Sequence, residues 1–274
     1  MDKNFIEVDG IKITYFEKNG QQDRPTIFFY HGNSVSSRTW RKQLNDPLFD
    51  EYRLVAIDLP AHGHSGVAND PHHAYTLPKL ANIMAKALHQ LTNGMPYVVA
   101  GVSLSTNIVA EMLVFETAPR GVILAGPSVV GAGISVQNII KAGTHVGVVF
   151  TDDPDMDDVK SYAEETSLSR DENDLQIFME DFRGVQKPFR SALGQSIANA
   201  DYSDEIAILQ QKNIPLLIVF GEDEKVVETS YLDEIKFLLW GEKIFKIPGA
   251  SHLVQIDQPE IFNELIKKFA TDLF

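Results

Sequence analysis

The chain has 274 residues, no cysteine and a net charge of -14, which excludes thiol nucleophiles, disulfides and cysteine metal sites and disfavours nucleic acid and anionic membranes as partners. With 44% hydrophobic and 23% charged residues it has the composition of a soluble globular protein, long enough for one large domain or a domain carrying an insertion. No apolar run reaches the roughly 18 to 20 residues that span a bilayer, and MDKNFIEVDG lacks a signal peptide's apolar stretch, so a cytoplasmic location and a neutral or weakly polar small-molecule substrate are expected.

Phe5 to Glu17 alternates apolar and polar residues around Asp9-Gly10, which predicts an opening antiparallel hairpin. Four continuously apolar runs follow: Ile27 to Tyr30, Tyr97 to Ala100, Val122 to Ala125 and Leu216 to Phe220. Such runs suit strands buried on both faces of a parallel sheet. Between them, Leu77, Leu80, Ile83, Met84, Leu88 and Leu91 repeat at helical spacing, with Thr76 as N-cap and Pro78 in the first turn.

Residues 128 to 205 interrupt this alternation with helical patterns such as Leu175, Phe178, Met179 and Phe182, and read as an inserted helical cap. A last strand is expected from Lys243 to Ile247. A last helix is expected to open at Pro259 and bury Ile261, Phe262, Leu265, Ile266 and Phe269, with Lys267 and Lys268 toward its C-terminal end. Alternating helix and strand make the class α/β, with core 1–127 and 206–274 and cap 128–205.

Gly101-Val102-Ser103-Leu104-Ser105 ends the second buried run and precedes a helix expected from Thr106 to Glu116. It is nearly the G-x-S-x-G turn that presents a nucleophilic serine between strand and helix, with Ser105 at the last glycine's position. A serine hydroxyl needs a base and donors for the oxyanion. His252, in Pro248-Gly249-Ala250-Ser251-His252, lies past the expected last strand, where α/β sheets bind ligands.

Gly221-Glu222-Asp223-Glu224 offers three acids to orient that histidine, and the order serine, acid, histidine is that of the α/β-hydrolase fold. Local pattern leaves the three open; resemblance to that fold, whose acid falls three residues after the strand-end glycine, implies Glu224 rather than Asp223. The oxyanion is assigned to the backbone N–H groups of Asn33, in Tyr30-His31-Gly32-Asn33-Ser34, and of Leu104.

In these motifs and their order, including Asp58-Leu59-Pro60-Ala61-His62-Gly63-His64-Ser65, the chain resembles the α/β-hydrolase fold family over essentially its whole length. Within that family it more closely resembles the serine-dependent N-acyl-homoserine lactonases of the AidH type. That resemblance rests on His31-Gly32-Asn33-Ser34, the glutamate at 224, Val227-Glu228, Lys236 to Trp240 and Ser161-Tyr162-Ala163. It implies a mostly parallel sheet flanked by helices, metal-free and cofactor-free hydrolysis of a lactone or carboxylic ester through an acyl-enzyme, and Tyr162, Val102 and His31 at the substrate. The group carries tryptophan where this chain has Val102 and glycine where it has Ser105, so the acyl pocket is expected to differ. A carboxylesterase, a carbon–carbon bond hydrolase and a low-turnover ligand receptor share the same fold.

Three patterns are read as structural. His62-Gly63-His64 begins like a metal-binding H-x-H-x-D-H but continues Ser65-Gly66-Val67, and is expected to shape the site's mouth. Asp153, Asp155, Asp157 and Glu164 occupy calcium-loop positions, yet Asp158 stands where that loop needs glycine, so the acids are assigned to a helix N-terminus. His72-His73 is expected as an exposed loop pair, and Phe178, Phe182 and Phe189 as cap core.

Overall fold

The structure, a computed structural model, describes residues 1–20, 23–92, 94–115, 117–131 and 133–274. The opening hairpin pairs β1 (Asp2–Val8) with β2 (Ile11–Lys18), Val8 opposite Ile11. Asp9 and Gly10 both take positive φ, 51° and 76°, which gives a two-residue turn the twist of its strands. Next come β3 (Thr26–Tyr30), β4 (Arg53–Ile57), β5 (Tyr97–Val102), β6 (Val122–Ala125), β7 (Leu216–Gly221) and β8 (Phe245–Ile247). Among the described residues they form one eight-stranded sheet in the order β1-β2-β4-β3-β5-β6-β7-β8. Pairing is antiparallel as far as β2–β4 and parallel from β4 through β8.

The four apolar runs are all buried inner strands. β4 is a fifth: its Leu54-Val55-Ala56-Ile57 is fully buried between β2 and β3, but Arg53 at its start hides the pattern. That arginine is itself buried, donating to Glu17 Oε1 and the Leu91 carbonyl at 2.5 Å each. The last strand is shorter than expected, because only Phe245–Ile247 finds partners, Val219–Gly221 of β7.

Helices pack both faces. α1 (Leu77–Leu91) buries the anticipated stripe, and the Thr76 side chain accepts from the Lys79 N–H. α2 (Leu104–Met112) starts two residues earlier than expected because the chain turns sharply at Ser103 and becomes helical at once; the expected end at Glu116 lies outside the described residues. Between β6 and β7 come α3 (Met156–Thr166), α4 (Glu172–Gly184), α5 (Phe189–Ala198) and α6 (Glu205–Lys212). Asp155 caps α3 by accepting from the Asp157 N–H at 2.8 Å and Asp157 lies in the first turn, as expected, whereas Asp153 pairs with Lys187 and Glu164 lies near the helix's other end. Phe178, Phe182 and Phe189 are buried, as expected. His72 and His73 are exposed, in a short helix (Pro71–Ala74) rather than a loop.

The last helix, α7 (Pro259–Leu273), buries Phe262, Ile266, Phe269 and Ala270. Ile261, expected inward, is 46% exposed; the buried face turns instead through Asn263, which donates to Asp46 at 2.7 Å and accepts from Gln43 at 2.8 Å.

The helices of 128–205 are held to the sheet domain by polar contacts. Asp181 on α4 accepts from the Ser36 N–H (3.0 Å), the Ser36 hydroxyl (2.7 Å) and Arg38 (2.5 Å). Asp174 pairs with Arg41 and Lys42, and Asp257 accepts from Ser167 and Leu168. Asn33 Nδ2 donates to the Val149 carbonyl at 2.8 Å, so the loop after β3 touches this layer directly.

Candidate active site

Ser103 sits between β5 and α2 with φ 53° and ψ -125°, a conformation that costs a non-glycine residue about 1 to 3 kcal/mol. Surrounding bonds hold it there: its N–H donates to the Ala125 carbonyl at 3.0 Å, and its carbonyl accepts from the Thr106 N–H (2.7 Å) and hydroxyl (2.6 Å). A Cβ at Gly101 would lie 2.5 Å from the Ser105 carbonyl oxygen, so the strand before the turn must be glycine for the helix to double back over it. Ser105, the departure from the usual glycine, is fully buried and donates its hydroxyl to the His31 carbonyl. The substitution ties the turn to the loop after β3.

His252 follows β8 and is 2% exposed. Its Nδ1 lies 2.9 Å from Glu224 Oε2, while Glu224 Oε1 accepts from the Val226 (2.7 Å) and Val227 (3.3 Å) N–H groups. Burial pushes the Glu224 carboxyl up, but the charge and hydrogen bond of His252 and the two backbone donors outweigh burial and leave its pKa below the ordinary value. Glu222 and Asp223 are exposed, and Asp223 accepts from the Gly249 N–H at 3.1 Å. Glu224 alone of the three reaches the histidine. Gly126 passes so close beneath it that a Cβ there would meet the His252 carbonyl at 2.6 Å.

The loop His31–Ser34 runs past the serine: a Cβ on Gly32 would lie 3.2 Å from Ser103 Cβ. The Asn33 and Leu104 backbone N–H groups have no acceptor among the described residues, Leu104 being the first residue of α2. Two histidines staple this loop to the one after β4. His31 Nε2 accepts from the Leu59 N–H (2.9 Å) and His62 Nε2 from the Ser34 N–H (3.1 Å), while each Nδ1 faces a backbone carbonyl. Burial lowers both pKa values, that of His62 well below the ordinary one, so both rings are neutral and each donates from Nδ1.

Ser103, His252, Asn33, Leu104 and Tyr162 line one cavity of about 60 Å³. Its remaining wall is mostly apolar, from Leu77, Val136, Ile139, Ile140, Val146, Val149, Phe150, Ile197, Val226 and Val227, with two further polar residues, Asn107 and Ser128. Tyr162 on α3 is 5% exposed, and burial, reinforced by the charges of Glu224 and Glu165, pushes its phenol up. Two expectations are corrected. His31 is fully buried with both ring nitrogens occupied by backbone, and Val102 is fully buried in β5; neither lines the cavity. The histidine at 62 is likewise a buried fastener, whereas His64 is half exposed.

Sequence reasoning missed the apolar wall; the signal that could have found part of it is the run Val146–Phe150. Asn107 and Ser128 carry no motif. Behind them lies Glu205, fully buried, whose Oε2 accepts from Asn107 (2.7 Å) and the Val130 N–H (2.9 Å) while Oε1 has no partner among the described residues. Burial raises its pKa well above the ordinary value against those two hydrogen bonds, and the charges of Glu111 and Asp204 raise it further. A raised folded pKa contributes stability that is complete below the unfolded value and is lost as pH rises through the folded one. Glu205→Gln, which cannot ionise, is therefore expected to melt higher than wild type at pH 9, with the difference shrinking toward pH 4; melting temperatures across that range check it.

Fold and site together define a class. A family model described as alpha/beta hydrolase family matches residues 27–265, and the chain belongs to that family. Hydrolase activity is the class that its relatives support. Among solved structures, it superposes on a serine-to-glycine mutant of the N-acyl homoserine lactonase AidH complexed with N-hexanoyl homoserine lactone, with TM-score 0.89 and 26% identity over 100% of both chains. Among curated proteins, the dihydrolipoyllysine-residue acetyltransferase component of the acetoin cleaving system of Cupriavidus necator is 28% identical over 273 residues, 96% of this chain and 68% of that one. The uncharacterized hydrolase YugF of Bacillus subtilis is 24% identical over 277 residues, covering 96% and 95%. The resemblance read from the motifs is thus borne out. Among the described residues no helix is long and apolar enough to cross a membrane, and no group of three or more His, Asp or Glu side chains could hold a metal ion.

Proposed function

We propose that the chain is a serine hydrolase of carboxylic esters or lactones, with N-acyl-homoserine lactones its preferred substrates. One observation carries this reading: a strained Ser103 shares a small apolar cavity with His252, whose Nδ1 is held by a buried carboxylate. Ser103 Oγ attacks the substrate carbonyl carbon while His252 Nε2 takes its proton. The Asn33 and Leu104 N–H groups receive the oxyanion. The tetrahedral intermediate then expels the ester oxygen, which takes the proton from His252 and leaves an acyl-enzyme. Water, deprotonated by His252, attacks the acyl carbon, and Ser103 departs with the proton restored. Glu224 holds the imidazole in the tautomer that leaves Nε2 free to accept.

Residues 128–205 act as the cap over the core formed by 1–127 and 206–274, and Tyr162 borders the lactone. The lactonase reading draws support from the AidH complex, whose chain aligns with this one end to end. The chain's acidity suits a small neutral substrate in the cytoplasm. The cavity, about 60 Å³, is smaller than any acyl-homoserine lactone, so binding requires its wall to open, and least for the shortest chains. Short acyl chains are therefore expected to be turned over best, with longer ones requiring Val146, Phe150 and Ile197 to give way.

Purified protein offered acyl-homoserine lactones of several chain lengths and activated phenyl esters tests the reading. Ring opening with kcat/KM highest at four to six acyl carbons is the expected outcome. Ester cleavage without lactone opening would remove the lactone assignment and leave the serine chemistry. Tight lactone binding without repeated turnover would instead identify a receptor.

A further inference from the structure

The cavity beside Ser103 contains one polar group whose hydrogen-bond direction is set by its neighbours. The Ser128 carbonyl can only accept, so the Asn107 side-chain group 2.7 Å from it is the NH2, which also donates to Glu205 Oε2 at 2.7 Å. Asn107 therefore turns its oxygen to the Ser128 hydroxyl, which donates to it at 2.6 Å. The Ser128 hydrogen is thereby committed. Thr106 Oγ1, 3.4 Å away, has committed its own hydrogen to the Ser103 carbonyl and accepts from the Ser128 N–H at 2.9 Å.

Ser128 is partly exposed in an otherwise buried stretch and lines the cavity, so a ligand bound there meets a hydroxyl oxygen whose hydrogen is already used. We infer that Ser128 is a specificity-determining residue: its hydroxyl, polarised through Asn107 and Glu205, is an obligate acceptor that selects acyl groups bearing an N–H or O–H donor near the scissile carbonyl. The position is close to the reaction, since Thr106 alone separates Ser128 Oγ from the backbone of the nucleophile. An acyl group with no donor there leaves that oxygen desolvated and unpaired.

The inference rests on the serine-hydrolase reading above, and the test separates the two. N-butanoyl homoserine lactone and its analogue with a methylene in place of the N–H are compared by kcat/KM, each divided by its hydroxide-catalysed rate. Wild type is expected to favour the N–H compound roughly tenfold, the scale of one hydrogen bond in a dry site. Ser128→Ala is expected to bring the ratio near one, and Ser128→Thr, which keeps the hydroxyl, to preserve it. A wild-type ratio near one overturns the inference without any variant, and so does a ratio that survives Ser128→Ala. If Ser103→Ala opens both compounds as fast as wild type, the parent reading fails and the inference fails with it.

Discussion

Ser103→Ala is expected to lower kcat/KM on esters and lactones by at least about 10⁴-fold, because no other hydroxyl in the cavity is placed to replace it. The cavity's other hydroxyls are those of Ser128, whose hydrogen is committed to Asn107, and of Tyr162, whose phenol burial pushes up, away from the anion a nucleophile needs. Residual activity should come from the oxyanion donors and binding alone. The fold should persist: the positive φ at 103 is imposed by bonds to the backbone of Ala125 and Thr106, which alanine retains. Steady-state kinetics beside circular dichroism check both parts. Near-wild-type turnover in a folded variant would overturn the assignment of the nucleophile.

Glu224→Gln should cost about 10³ to 10⁴-fold in kcat, whereas Asp223→Asn should change it by less than about threefold. The difference follows from what each side chain faces. Val226 and Val227 point their N–H groups at Glu224 Oε1, so a glutamine there keeps its oxygen on that side and turns its NH2 toward His252. The imidazole must then accept at Nδ1 and carry its hydrogen on Nε2, the nitrogen that has to take the serine's proton. Asp223 is exposed and holds only the Gly249 N–H, which an asparagine oxygen can still accept. A kcat lost in Asp223→Asn and kept in Glu224→Gln would reverse the choice of acid.

The depressed Glu224 pKa has a second consequence. A carboxyl whose folded pKa lies below its unfolded value contributes stability above about pH 4.5, the ordinary glutamate value, and loses it as pH falls through the folded pKa. Glu205 has the opposite sign, so the two buried glutamates bracket the pH range of greatest stability from below and above.

The sequence by itself determined the class, the order of serine, acid and histidine, and the buried strands, because these are local quantities. Ile27–Tyr30 and Leu216–Phe220 are apolar on consecutive residues only where both sheet faces are covered, and Gly101 beside Ser103 marks a turn whose tightness excludes a side chain. The glutamate three residues past Gly221 was assigned by resemblance to the family, not by any local pattern. Partner choice between distant segments was not readable either, since nothing in local pattern states which groups meet. Only the tertiary structure decided that Glu224, rather than Asp223, faces His252 across 28 residues. It also decided that His31 and Val102, inside the motifs, are sealed away from the cavity. Asn107 meets Ser128 across 21 residues and Glu205 across 98, so the polar corner of an apolar pocket exists only once β6, α2 and α6 are packed together. Hydrogen-bond direction there depends on carbonyls and carboxylates supplied by other parts of the fold, which residue type alone does not specify.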